Sequence, residues 1–81
     1  MTRGESVSRS LRESVGERAS ALLTDRLCGS LERCGDDPGL LKQALDRVRT
    51  SMRLFVDESV ADDIDRRLRT IAGLPQRAPA R

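Results

Sequence analysis

An all-α fold is the expectation for this chain, and three observations carry it. Apolar residues recur at steps of three and four through both halves of the sequence, and one strong helix stop and restart separates those halves. Hydrophobic residues make up 37% and charged residues 35%, with Phe55 as the one aromatic side chain. In such a mixture Leu, Val, Ile and Ala fill a seam between helices while charges flank it.

Val7, Leu11, Val15, Ala19, Leu22, Leu23, Leu27, Leu31 and Cys34 form the first stripe, predicting a helix over about 6–34 behind a flexible N-terminus at 1–5. Its start is open among Thr2-x-x-Glu5, Ser10-x-x-Glu13 and Ser14-x-x-Glu17, each of which has the capping-box spacing. Gly16 weakens the early turns by about 1 kcal/mol relative to Ala. Cys34-Gly35-Asp36-Asp37-Pro38-Gly39 then stops one helix and starts the next. Glycine accepts the left-handed backbone that closes a helix, aspartate caps free N–H groups, and proline suits a first helical position.

Leu41, Ala44, Leu45, Val48, Met52, Phe55, Val56, Val60, Ile64, Leu68 and Ile71 form the second stripe, with no Gly or Pro between Leu40 and Ala72. A helix over about 38–72 follows, gently wrapped or nearly straight and not a strict left-handed coiled coil, because steps of four run ahead of a 3.5 repeat. Gly73, Leu74 and Pro75 form its stop, and residues 75–81 read as a disordered basic tail.

Two rods in an antiparallel hairpin with a turn at 35–37 cannot cover an apolar stripe wider than ~100° on each other alone. The prediction is therefore a homodimer making a four-helix bundle, with Leu22, Leu27, Leu45, Val48, Met52, Phe55, Val56, Val60, Ile64 and Leu68 at the self-association or partner interface. Such a hairpin sets position i of the first helix near position 75 minus i of the second, matching Arg18 with Asp57, Arg12 with Asp62 and Asp63, Asp25 with Arg49 and Arg53, and Glu5 with Arg69. Charge blocks along the second helix favour an antiparallel pairing of copies. The hairpin outline resembles the small secreted proteins of the WXG family, whose Trp-x-Gly turn this chain lacks.

The sequence contains no His, so no side chain titrates near neutrality unperturbed. Glu58, Asp62 and Asp65 share one helix face and are the best oxygen set for a hard cation, though a solvated or salt-bridged face explains them as well. Cys28 and Cys34 lie ~9 Å apart along a helix, too far for a mutual disulfide, and read as reduced, buried thiols. No phosphate-cradling loop, cofactor fingerprint or catalytic constellation is present. Fourteen of the fifteen basic residues are Arg. Arg66, Arg67 and Arg69, with Arg77 and Arg81 of the tail, could neutralise phosphates, but no aromatics are interleaved for base stacking. The expected function is thus a cytoplasmic, non-catalytic interaction or assembly module without a cofactor, binding itself and a larger protein and not a membrane. Nucleic-acid association is the alternative.

Overall fold

The computed structural model describes residues 1–16, 18 and 20–76. Among them the protein is all-helical, with four helices in order: α1 Arg3–Val15, α2 Ala21–Arg33, α3 Pro38–Met52 and α4 Glu58–Ala72. Each helix packs against the next, and α1 also packs against α4. Glu17, Ala19, Arg77 and Arg81, which entered the sequence reading, lie outside the described residues.

Thr2 is the cap that starts α1, its hydroxyl accepting from the Glu5 N–H at 3.2 Å, so the expected flexible segment 1–5 is mostly helix. Gly16 stops it at φ +56°, where a side chain would be strained. Ser20 caps α2 by accepting from the Leu23 N–H at 3.2 Å. Asp37 caps α3 twice, accepting from Gly39 N–H at 2.9 Å and Leu40 N–H at 3.1 Å, with Pro38 in the first turn. Replacing such a cap with Ala costs about 1 kcal/mol. At the end of α4, Gly73 is left-handed with φ 71°, and the bonds Leu74 N–H to Arg69 C=O at 2.9 Å and Gly73 N–H to Thr70 C=O at 3.2 Å complete a Schellman ending.

Two continuous rods are therefore not what forms. Gly16, which ends α1, and Ser20, which caps α2, interrupt the first. The second bends without any glycine or proline: the backbone keeps helix-type bonds to Val56, whose N–H reaches the Met52 C=O at 2.9 Å, and Asp57 then turns extended at φ −63°, ψ 153°.

Folding each rod back on itself changes what covers the stripes. Leu27, Leu45, Val48, Met52, Ile64 and Leu68, expected at a dimer interface, are buried in one internal core with Val7, Leu11, Val15, Leu31, Leu41, Ala61 and Ala72. One chain supplies all four helices, so a second copy is not required to keep these side chains from water. Burial of each Leu, Val or Ile contributes about 1.5–3 kcal/mol.

The ion pairs follow the same change. Arg12 meets Asp25 at 2.9 Å, Arg49 meets Asp62 at 2.6 Å and Arg53 meets Glu58 at 3.7 Å, in place of the expected Arg12–Asp62, Asp25–Arg49 and Asp25–Arg53 matches. Arg69, expected beside Glu5, instead pairs with Asp65 and Asp46, while Arg18 and Asp57, expected as a pair, line one cleft; where α1 meets α4 the Arg3 guanidinium donates to the Ala72 C=O at 3.5 Å.

The α1 and α2 ends meet through backbone. Gly4 N–H donates to Gly35 C=O at 2.8 Å, and Arg3 N–H donates to Asp36 Oδ1 at 2.8 Å. A Cβ at position 4 would collide with the Leu31 carbonyl and lie 3.1 Å from that of Gly35, so glycine is what permits the approach.

Candidate functional site: an apolar rim at the α3–α4 bend

The bend that buries most of the second stripe leaves its centre uncovered. Leu54 is 85% exposed, and Phe55, Val56 and Val60 are half-buried against the core. They surround an open cleft of about 530 Å³ whose other walls are Arg18, Arg53 and Asp57. Arg18, between α1 and α2, lines this cleft beside the α3–α4 bend. The cleft thus brings four apolar side chains together with two guanidinium groups, one of which, Arg53, is tied loosely to Glu58.

Leu22, the remaining interface candidate, is 68% exposed and lines a separate shallow cleft on α2 with Asp25, Arg26, Gly29, Ser30 and Arg33. The ten predicted interface residues therefore divide three ways: six enter the core, three join Leu54 at the rim, and Leu22 stands apart. Leu54 was missed because it falls off the apolar stripe, and a lone off-stripe leucine carries no signal in sequence.

The basic candidates divide too. Arg66 and Arg67 are exposed, with Arg66 3.9 Å from Asp63. Arg69 is a correction: only 3% of it is exposed, and it donates to Asp65 Oδ2 at 3.2 Å, to Asp46 Oδ1 at 3.0 Å and to the Pro75 C=O at 3.0 Å. A guanidinium so enclosed cannot reach a phosphate.

The acidic trio Glu58, Asp62 and Asp65 disperses onto Arg53, Arg49 and Arg69 respectively, and no group of three His, Cys, Asp or Glu converges on a metal position among the described residues. Both cysteines are free and buried. The Cys28 thiol donates to the Ser8 C=O at 3.4 Å and the Cys34 thiol to the Ser30 C=O at 3.2 Å. Burial first, and then the Asp37 carboxylate, push the Cys34 thiol up, while Arg47 acts in the opposite sense. That environment opposes a reactive thiolate. No helix among the described residues is long and apolar enough to cross a membrane.

No known family model matches this chain, and neither a curated protein nor a solved structure matches it.

Proposed function

We propose that the protein is a small, non-catalytic interaction module that docks on a larger protein through the rim formed by Leu54, Phe55, Val56 and Val60. The observation that carries this reading is Leu54, 85% exposed beside three half-buried apolar neighbours. Large apolar side chains ringed by polar groups are the usual energetic centre of a protein–protein contact. Arg18 and Arg53 on the cleft wall add a preference for a partner segment that sets a carboxylate beside an apolar anchor.

The test is a photo-crosslinking amino acid installed at position 54, with a matched one at exposed Gln43 as control, in cells that make the protein natively. One defined adduct at 54, absent at 43 and weakened by Arg18→Glu, is the expected result. Equal adducts at both positions, or an adduct indifferent to R18E, would refute docking at the rim.

A further inference from the structure

We infer that the seat of α4 accepts the α4 of a second copy, giving a dimer in which the two chains exchange that helix by straightening at Asp57. This goes beyond docking on a larger partner and does not depend on it. The first support is the bend itself. Helix-type bonds run on from α3 as far as Val56 N–H to Met52 C=O at 2.9 Å. The extended residue that follows, Asp57, makes no side-chain cap bond to the start of α4, so its change to helical backbone breaks no cap.

The second support is phase. Met52, Val56, Val60, Ile64 and Leu68 keep a step of four across the bend, so in a straightened 38–72 helix the apolar row runs past Asp57 without a break, winding about the axis by about 40° per step. In the folded chain the middle of that stripe, Phe55, Val56 and Val60, is only half-buried. Where two straightened helices cross, these residues of the two copies lie against each other.

The third support is that the exchanged seat is identical by construction. α4 packs on α1 and α3, and the pairs Arg49–Asp62 at 2.6 Å and Arg69–Asp46 at 3.0 Å join α3 to α4. Every one of these contacts re-forms between copies when α4 is exchanged, leaving the geometry of the connection to decide between the two forms.

Two variants act on that geometry in opposite directions. Glu58→Pro puts proline at the first position of α4, which suits the bent chain, and Asp57 already has the extended backbone that a residue before proline prefers. In a straightened helix the same proline removes a hydrogen bond and clashes with the preceding turn, a penalty of about a hundredfold per chain. Asp57→Ala favours the straight form, raising the association constant roughly tenfold when both chains gain it.

Wild type, D57A and E58P are incubated near millimolar concentration and separated by size-exclusion chromatography with light scattering. The expected result is a two-chain species that grows in D57A and is absent from a folded E58P. To read exchange directly, Arg49→Cys and Asp62→Cys are introduced with Cys28→Ala and Cys34→Ser, and the two-chain fraction is treated with a short bis-maleimide. Exchange yields covalent dimers on a denaturing gel. Crosslinks confined within single chains, a two-chain species that persists in E58P, or no two-chain species in either wild type or D57A would overturn the inference.

Discussion

Replacing Arg69 by methionine tests how much of the fold depends on one enclosed charge network. The side chains of Arg69 and Asp65 are each only 4% exposed. Arg69 Nε donates to Asp65 at 3.2 Å, while the other two nitrogens reach Asp46 and the Pro75 C=O, both at 3.0 Å. The Asp46 side chain is 48% exposed, so water screens that bond and its share is at most about 1 kcal/mol. The main loss is at Asp65, whose carboxylate stays inside the protein without its guanidinium, and removing one partner of a buried pair costs about 3–5 kcal/mol. A chain of 81 residues is stable by only about 4–12 kcal/mol, so R69M consumes a quarter or more of the total. Urea unfolding followed by far-ultraviolet circular dichroism should show a loss of about 3 kcal/mol at unchanged slope, and the melting temperature should fall by about 15 °C. Removing both charges with Asp65→Leu and Arg69→Met should recover about 2 kcal/mol of that loss. An R69M protein within 1 kcal/mol of wild type, or a double variant no better than R69M, would refute the reasoning.

Two glycines should respond to alanine with opposite sign. Gly4→Ala forces a Cβ against the backbone carbonyls of Leu31 and Gly35, and should cost about 2 kcal/mol in the same unfolding assay. Gly29→Ala, in the interior of α2 with nothing near its Cβ position, should stabilise by about 0.5–1 kcal/mol. The raised Cys34 thiol means that the native state holds its proton more tightly than the unfolded chain does. Its contribution to stability is therefore complete below the ordinary thiol value of 9.0 and declines as pH rises from there through the raised value. The chain has no Tyr and one Lys, so few other groups titrate there. Cys34→Ala should flatten the fall in unfolding free energy between about pH 8.5 and pH 10, and equal slopes for the two proteins would count against it.

The stops that depend on local backbone chemistry were legible. Asp37 and Pro38 start α3 as their residue types require, and Gly73 with Leu74 ends α4 through the bonds expected of that pair. Gly16 gave a partial signal, since it marked a weak stretch, but Ser20, which caps the helix after it, stood in an uninterrupted apolar stripe. The bend at Asp57 had no local signal at all. Neither glycine nor proline is present there, and the stripe passes through in phase. What decides it is tertiary: bending lets α4 cover α1 and α3, a gain that no window along the chain contains. For the same reason Arg69 read as surface. A basic residue four positions after an acidic one looks like an exposed helix pair, and only packing determines which pairs are enclosed. The rim was legible in three of its four residues, because Phe55, Val56 and Val60 stood on the stripe while Leu54 did not.

The contact of Arg3 with the Ala72 carbonyl sets the chain's first and last helical turns side by side, whereas Leu54 belongs to the bend at the far end of α4. Fifteen residues of α4 separate the two by about 22 Å. A tether, tag or fused neighbour attached before residue 2 or after residue 74 would therefore hang from the pole remote from Leu54, leaving that approach unobstructed.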